Sequence, residues 1–467
     1  MSQETIQLIT QITYLISSIL FILGIKRLGK TSTAREGNFY SALAMFLAVV
    51  VTLINQGVLS YVEIFATILV GSAVGLYIAR TVEMTKMPEM VALFNGFGGL
   101  SSVLVASAEF WRSVVQEELS VGIVVMVTVI LSVLIGSVTL TGSLVAYGKL
   151  SGKVNGNAIT FKGQHLLNLI LFLVLLVAAV LLVVEPSQVL YLYAVVGIAL
   201  LLGILTVIPI GGADMPVVVS LLNSYSGIAA GATGFVLNNQ VLIISGALVG
   251  ASGLILTQIM CKAMNRSLVN VLLGGFGQTA STAGGAGGQE MVVKEVGVEE
   301  SAMLFDAASS VIIVPGYGMA VAQAQHAVRE LTELLEGKNI SVKFAIHPVA
   351  GRMPGHMNVL LAEANISYDK LIEMESINDD FANTDICFVI GANDVVNPAA
   401  RADTSSPIYG MPILNADKAR TVIVSKRSMN VGYAGVQNEL FGYPNCLMLF
   451  GDAKSTLTKV VGELKEM

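Results

Sequence analysis

The chain has 467 residues, of which 54% are hydrophobic and only 12% charged, and its mean hydropathy is +0.75. These values exclude a protein that is soluble throughout and are typical of a polytopic membrane protein. The three cysteines, Cys261, Cys387 and Cys446, are too few and too scattered for a disulfide framework or a thiolate metal site, and the net charge of −6 discriminates little.

Long apolar stretches fill the first 261 residues and predict nine membrane spans. The first stretch follows an amino end without a basic region and is long enough to cross a bilayer of roughly 30 Å, so we interpret it as a retained span. The second is short, and the breaks near Gly211 and Asn238 are tight. The predicted spans are Ile6 to Ile25, Phe39 to Leu53, Tyr61 to Ala79, Met90 to Phe110, Val121 to Tyr147, Leu166 to Val184, Leu190 to Ile210, Met215 to Leu237 and Val241 to Cys261.

Basic residues are concentrated in alternate connections between these spans. They follow spans one, three, five and nine, whereas the connections after spans two, four, six and eight contain a single basic residue, Arg112. Because basic loops stay on the cytoplasmic side, this pattern predicts that the amino end is outside and the carboxyl domain is cytoplasmic.

The segment GGFGQTASTAGGAGGQ, from Gly274 to Gln289, has no apolar periodicity and is typical of a flexible linker. We therefore predict a membrane domain over residues 1–266, a Gly-rich linker over 267–289 and a soluble domain over 290–467.

Short β-rich runs alternate with helical patterns in the carboxyl domain, which predicts a parallel sheet. The clearest helical pattern runs from Met319 to Glu336, with Val321 and Val328 on its apolar face. The expected fold is a polytopic α-helical membrane bundle of about nine spans, followed by a cytoplasmic α/β Rossmann-like, doubly wound domain. Its predicted strands are Ser310 to Val314, Val342 to Ile346, Ile386 to Ile390, Thr421 to Ser425 and Leu447 to Phe450.

The turn after the first of these strands has the sequence GYGMAVAQAQ and resembles a dinucleotide-binding fingerprint. Gly316 permits a tight turn, and Gly318 lets a pyrophosphate approach the amino end of the helix. Ala320 or Val321 occupies the place of the third glycine. The alternative interpretation is a simple turn, but its position directly after the apolar run from Val311 to Pro315 favours a nucleotide site.

The second strand lacks the carboxylate that holds the ribose of NAD, because it is followed by HPVAGR, His347 to Arg352. The strand from Thr421 instead ends in Lys426, Arg427 and Ser428, three donors suited to a 2′-phosphate. Two charged contacts of about 1.5 to 3 kcal/mol each would favour NADPH over NADH by roughly a hundredfold or more. An exposed basic strand end is the alternative interpretation.

Several longer motifs resemble one family, the β subunit of the proton-translocating NAD(P) transhydrogenase. These motifs are GGADMPVVVSLLNSYSG from Gly211, CKAMNRS from Cys261, HPVAGRMPGHMNVLLAEA from His347, INDDFANTD from Ile377, GANDVVNPAA from Gly391, KRSMNVGYAGVQN from Lys426 and GDAK from Gly451. The resemblance covers essentially the whole chain.

The resemblance implies that this chain binds NADP(H), that a separate α subunit binds NAD(H), and that α–β units pair as a dimer in a bacterial plasma (inner) membrane. The presence of a single nucleotide fingerprint agrees with a second polypeptide. Because hydride passes directly between two nicotinamides, no side chain is predicted to act as acid or base. The predicted cofactor-binding residues are Gly316, Tyr317, Gly318, Met319, Ala320, Val321, Val349, Ala350, Gly351, Arg352, Gly391, Ala392, Asn393, Asp394, Lys426, Arg427, Ser428, Gly432, Tyr433, Gly451, Asp452 and Ala453.

Hydride transfer between similar rings is close to thermoneutral, so proton coupling must act through nucleotide binding. We expect the loops from Val349 to Met357 and from Ala392 to Pro398 to respond, with Asp394 as the protonatable residue. An Asx turn between Asn393 and Asp394 is the structural alternative.

Polar residues within spans predict a proton path. The family's proton-coupling Asp and Asn fall on Asp214 and Asn223, although Asp214 is also a good helix N-cap before Met215 and Pro216. Asn95 stands where well-known family members have a histidine, and an amide cannot titrate, so the sequence leaves the proton carrier open.

The remaining titratable candidates are predicted to be peripheral. His165 is expected at the membrane interface, Glu63 and Glu109 near outer span ends, and His326 on a solvated helix surface, while His347 and His356 lie in a loop that borders the nucleotide. With no clustered ligand set, no metal site is predicted.

Two other classes of function compete with this reading. One is a channel or transporter gated by a cytosolic nucleotide-binding domain, which usually keeps the second-strand carboxylate. The other is a membrane-anchored reductase, for which the chain has no haem, flavin or iron–sulfur ligand set.

Overall fold

The computed structural model describes residues 3–30, 33–55, 61–117, 121–273 and 291–467, apart from residues 354, 407 and 433. The chain divides into two compact units. One comprises Met1–Thr257 with Val271–Phe276, and the other comprises Gln258–Asn270 with Gly277–Met467. The predicted linker begins with a short helix, Leu268–Leu273, and most of the rest of it lies outside the described residues.

Nine helices among the described residues are long and apolar enough to cross a membrane, which confirms the predicted number of spans. The span predicted to be short is a helix of 22 residues. Proline stands in the first turn of two of the helices, where its missing N–H costs no hydrogen bond. The helices are α1 Gln3–Leu28, α2 Ala34–Asn55, α3 Tyr61–Thr81, α4 Met87–Phe110, α5 Ile123–Leu150, α6 Gln164–Val184, α7 Val189–Val207, α8 Met215–Val236 and α9 Gln240–Ala263, followed by α10 Leu268–Leu273.

Helix α5 is at the centre of the membrane unit, where it packs against α4, α7 and α8. Small residues allow the closest approach. A methyl group placed on Gly99 of α4 would lie 2.6 Å from the carbonyl oxygen of Gly136 on α5. The two backbones therefore touch, as is common where helices pack in lipid.

The α/β unit is built on a sheet of seven parallel strands in the order β1-β7-β6-β5-β2-β3-β4. The order reverses between β2 and β5, so the predicted doubly wound fold is confirmed. The strands are β1 Lys294–Glu295, β2 Ser310–Pro315, β3 Ser341–Ile346, β4 Leu371–Glu373, β5 Ile386–Ile390, β6 Thr421–Lys426 and β7 Cys446–Phe450. The helices are α11 Val298–Asp306, α12 Tyr317–Val321, α13 Gln325–Gly337, α14 His356–Glu363, α15 Met374–Ile377, α16 Ala399–Ala402 and α17 Ala453–Glu466.

Both faces of the sheet are covered. On one face α11 and α13 pack against α17, and Phe305 of α11 meets Phe388 of β5 edge to face at 5.4 Å between ring centroids. On the other face a second buried cluster joins Val389 and Val424 to Phe381 and Phe441. The strands are buried on both sides, which explains their continuous Val/Ile-rich sequences.

The prediction of one helix from Met319 to Glu336 is wrong. The chain turns at Gln323, whose φ of 49° is left-handed, and the N–H of Ala324 bonds to the carbonyl of Met319, which ends α12. As a result Val321 is 43% exposed instead of belonging to the buried face. Strands β1 and β4 were also missed, because two and three residues are too few to show a period.

Candidate functional site

The carboxyl ends of five adjacent strands, β7, β6, β5, β2 and β3, carry the predicted nucleotide-contacting segments. Because parallel strands end at the same edge, segments far apart in sequence meet there. Tyr433 lies outside the described residues. The other predicted residues fall at Gly316 to Val321 after β2, Val349 to Arg352 after β3, Gly391 to Asp394 after β5, Lys426 to Ser428 and Gly432 at and after β6, and Gly451 to Ala453 after β7.

Three glycines hold the two central turns together where the strand order reverses. The N–H of Gly316 bonds to the Ile390 carbonyl, and that of Gly318 bonds to the Gly391 carbonyl, both at 2.9 Å. Gly391 has a φ of +66°, and a methyl group there would lie 2.3 Å from the backbone nitrogen of Met319. The glycine pattern in the first turn thus has an immediate structural cause, the contact with the turn after β5.

The loop after β3 is braced by two buried histidines. His347 Nε2 lies 2.9 Å from the Pro412 carbonyl, while its Nδ1 accepts the N–H of Val349. Since a carbonyl only accepts, Nε2 must carry the proton and the ring is neutral. Burial lowers the pKa of His347 to about 4.

His356 supports the position of Arg352 in the same loop. Its Nδ1 accepts the Arg352 N–H at 3.0 Å, and the Arg352 guanidinium carbon lies 4.4 Å from the centre of the Tyr317 ring. Cation–π stacking of this kind holds a guanidinium against the face of an aromatic ring. The loop after β3 therefore offers a cation beside the first turn of α12.

The loop after β6 is tied to the turn after β5 by side-chain hydrogen bonds. Asp394 Oδ2 accepts the Ala434 N–H at 3.0 Å. Buried Asn438 donates to the Asn393 carbonyl at 3.0 Å, and Asn397 donates to the Gln437 carbonyl at 3.1 Å. We define residues 428–438 as the β6 loop. These three contacts hold it beside the β5 turn.

The asparagines at 397 and 438 were missed by the sequence reasoning, although they are 0% and 1% exposed. Asn397 stands between Val396 and Pro398, whereas Asn438 is flanked by Gln437 and Glu439. A buried amide needs hydrogen-bond partners, so an Asn beside apolar residues was an available signal for Asn397, but Asn438 carried no such signal.

The basic strand end is only partly free. Lys426 Nζ donates to the Asn430 carbonyl at 2.5 Å and lies 4.8 Å from the centre of the Phe441 ring, while Arg427 and Ser428 are exposed. Burial lowers the pKa of Lys426, and the nearby Asp394 carboxylate opposes that shift. The Lys426 ammonium therefore lies against the Asn430 carbonyl and the face of the Phe441 ring.

At the end of β7, Asp452 caps α17, since its side chain accepts the N–H of Ser455. Gly451 has a φ of +145°, a conformation that L side chains rarely adopt. These residues place the amino end of a helix of 14 residues at the same edge.

In the membrane unit, the polar candidates differ in exposure. Asn95 is buried and donates to Ser143 Oγ at 2.9 Å. Asn223 instead lies on the exposed surface of α8. Asp214 precedes α8, but its side chain makes no capping hydrogen bond to that helix, which counts against the N-cap interpretation.

The peripheral candidates are found near the surface. His165 and Glu63 are exposed, and His326 is 58% exposed and 3.6 Å from Glu363. Glu109 accepts from Arg112 at 2.6 Å in a π-helical turn at the end of α4.

Comparison with known proteins agrees with the resemblance found in the motifs. A family model described as NAD(P) transhydrogenase beta subunit matches residues 10–463. Two Rhodospirillum rubrum relatives, each named NAD(P) transhydrogenase subunit beta, are 50% identical over 458 residues, which cover 97% of this chain and 98% of the relative. The similarity thus extends through both units and every loop at the carboxyl edge of the sheet.

Proposed function

Because the chain belongs to the family of NAD(P) transhydrogenase beta subunits, we propose that its α/β unit binds NADP(H) at the carboxyl edge of the sheet, while a separate alpha subunit binds NAD(H). The observation that carries this proposal is that five strand ends carry the predicted segments along one edge of the sheet, with the switch point between β2 and β5 at its centre. Dinucleotides bind at such points in doubly wound sheets.

The residues present fit NADP(H) better than NAD(H). The loop after β3 begins with His347, which is buried and neutral, and contains no carboxylate between Pro348 and Arg352 that would hold a free 2′-hydroxyl. Lys426 and Arg427 supply positive charge at the end of β6, and Arg352 supplies it at the end of β3. These cations suit the 2′-phosphate and the pyrophosphate.

NADP(H) supplies the nicotinamide that donates or accepts hydride, and the chain supplies its position. In this proposal, the joined turns of Gly318 and Gly391 lie under the nucleotide. The β6 loop, held in place by Asp394, Asn397 and Asn438, lies beside it. Such positioning is the main contribution that a protein makes to direct hydride transfer.

Proton coupling is proposed to act on the β6 loop. Protonation of Asp394 would weaken its bond to Ala434 and change the relative affinity for NADP⁺ and NADPH. A proton crossing 100 mV exchanges about 2.3 kcal/mol, which equals roughly a fiftyfold change in that ratio. An Asp394→Asn variant that still couples proton movement to hydride transfer would remove this residue from the scheme.

The membrane unit is proposed to conduct the proton, with Asp214 and Asn223 in coupling roles and Asn95 ordering hydrogen bonds with Ser143. The distribution of basic residues supports an outside amino end and a cytoplasmic α/β unit in a bacterial plasma membrane. Pairing of α–β units as a dimer belongs to the same proposal.

The nucleotide proposal is tested by calorimetric titration of a polypeptide of residues 290–467 with NADPH and NADH. The double variant Lys426→Ala with Arg427→Ala should lose roughly a hundredfold in affinity for NADPH and little for NADH. Lys418→Ala with Lys459→Ala removes the same charge from exposed positions away from the carboxyl edge and is the matched control. Preference for NADH, or no binding, would instead favour a different nucleotide site.

A further inference from the structure

A buried lysine at the end of α5 is absent from the functional residues considered so far. Lys149 is 5% exposed, although it is the second-to-last residue of a membrane-spanning helix. Lysines at span ends usually extend their ammonium group toward water. Lys153, four residues later, is exposed and donates to the Tyr147 hydroxyl at 2.8 Å.

The Lys149 ammonium is directed into the protein and donates to three backbone carbonyls. Its Nζ lies 3.0 Å from the Asn157 oxygen, 2.6 Å from the Ile208 oxygen and 2.7 Å from the Ile210 oxygen. An ammonium has three N–H donors, so every one of them is used. Among the described residues, no carboxylate forms an ion pair with it.

These three acceptors belong to segments that lie outside the long helices. Ile208 and Ile210 follow the end of α7, where helix carbonyls lack intrahelical partners, and Pro209 between them has no N–H. The Ile208 carbonyl also accepts the Ile159 N–H at 3.3 Å. Asn157 lies in the connection between α5 and α6. Lys149 thus joins the end of α5, this connection and the turn between α7 and α8.

That turn leads directly to Asp214. A second bond, from the Gly212 N–H to the Gly156 carbonyl at 2.7 Å, fastens the turn to the same connection, and the Asp214 N–H bonds to the Gly211 carbonyl. The chain before Asp214 is therefore held at two places. The Gly156 carbonyl holds Gly212, and the Lys149 ammonium holds Ile210.

We propose that Lys149 is a positioning residue for proton coupling, in which its ammonium holds the α7–α8 turn so that Asp214 is presented at the amino end of α8. This inference rests on the proposed coupling role of Asp214. It assigns Lys149 no proton transfer and no contact with the nucleotides.

The test compares two rates for the complete complex with its alpha subunit in vesicles. The first is NADPH-driven hydride transfer with proton movement. The second is hydride exchange between NADH and an NAD⁺ analogue through NADP that stays bound, which needs no nucleotide release and no net proton movement in the proposed scheme. Lys149→Met, which keeps the length but has no donor, should lower the ratio of the first rate to the second by roughly tenfold or more.

Lys149→Gln retains two N–H donors, so its ratio of rates should lie between that of Lys149→Met and that of the wild type. It also serves if Lys149→Met fails to assemble. Lys153→Met is the matched control and should keep the wild-type ratio, because the Lys153 ammonium bonds to a side-chain hydroxyl and, among the described residues, to no backbone carbonyl. A general loss of folding would lower both rates together, so an unchanged ratio in assembled Lys149 variants would overturn the inference.

Asp214→Asn, measured in parallel, separates this inference from the function on which it rests. If Asp214→Asn loses coupling while both Lys149 variants keep it, the positioning role is wrong and the role of Asp214 stands. If Asp214→Asn keeps the wild-type ratio, the proposed role of Asp214 fails and the inference falls with it.

Discussion

The neutral, buried His347 should make the stability of the α/β unit depend on pH. Its pKa in the folded state is about 4, against an ordinary value near 6.5. As pH falls from 6.5 to 4, the unfolded chain gains a proton at this residue while the folded chain does not, so the folded state is progressively disfavoured. The difference of about 2.5 pKa units corresponds to a loss of about 3 kcal/mol in the free energy of unfolding.

Denaturant unfolding of the 290–467 polypeptide at pH 7 and pH 4 measures this effect, provided that His347→Gln is compared with wild type at each pH. The variant loses bonds to Pro412 and Val349 and should be less stable at pH 7. It has no imidazole to protonate, so its deficit relative to wild type should shrink by about 3 kcal/mol at pH 4.

His326→Gln is the control, because that imidazole is 58% exposed on α13. It makes the same substitution at a surface position and so shows the effect of His→Gln without loss of the buried bonds to Pro412 and Val349. The reasoning is refuted if the His347→Gln deficit is the same at pH 7 and pH 4, since the ring would then titrate equally in the folded and unfolded states.

Three further experiments test contacts described above. Gly391→Ala should lower the free energy of unfolding by about 3 kcal/mol or more, because the methyl group would meet the Met319 backbone at a positive φ. Gly462→Ala in α17, with open space around it, is the control and should raise it by about 1 kcal/mol. Equal effects would contradict the close contact between the two turns. Asn438→Ala should cost about 2 kcal/mol and speed hydrogen exchange in residues 428–438, and unchanged exchange would show that the β6 loop is held by other contacts. A double-mutant cycle of Asn95→Ala and Ser143→Ala, measured by unfolding in detergent, should give a coupling of about 1 kcal/mol, and a value near zero would remove that hydrogen bond.

The sequence was sufficient where the physical signal is local. Spans of about 20 apolar residues and buried strands such as Ile386–Ile390 each carry their own pattern, so the bundle and the doubly wound sheet were both predictable. The ends of parallel strands meet at one edge, which was enough to bring the predicted loops together. The left-handed turn at Gln323 was not predictable, because the run from Met319 to Ala327 has strong helix formers on both sides of the break.

The parts of the site that depend on distant contacts could not be read from the chain. Nothing in the sequence pairs Asn397 with Gln437 or Lys149 with Ile208, since these contacts join segments 40 and 59 residues apart. Asn95 and Asn223 were treated as parts of one path because both are intramembrane amides, yet the first faces the bundle interior and the second its surface. Helix rotation, which decides this, leaves only a weak trace in helices that are apolar on every side.

The strength of the contacts on the β6 loop limits what one proton can do to it. The two amide bonds, from Asn397 and Asn438, contribute about 0.5 to 1.5 kcal/mol each, and the bond from Ala434 to the Asp394 carboxylate contributes about 1.5 to 3 kcal/mol. Together they exceed the roughly 2.3 kcal/mol that a proton exchanges across 100 mV. One proton therefore cannot release the whole loop, but it matches the charge-assisted bond alone. In the proposed scheme, protonation therefore acts at Asp394. The segment around Ala434 moves, while the amide bonds from Asn397 and Asn438 persist. Asn438→Ala should then weaken binding of NADP⁺ and NADPH to similar extents, whereas Asp394→Asn should change their ratio, and the reverse result would exclude this division of roles.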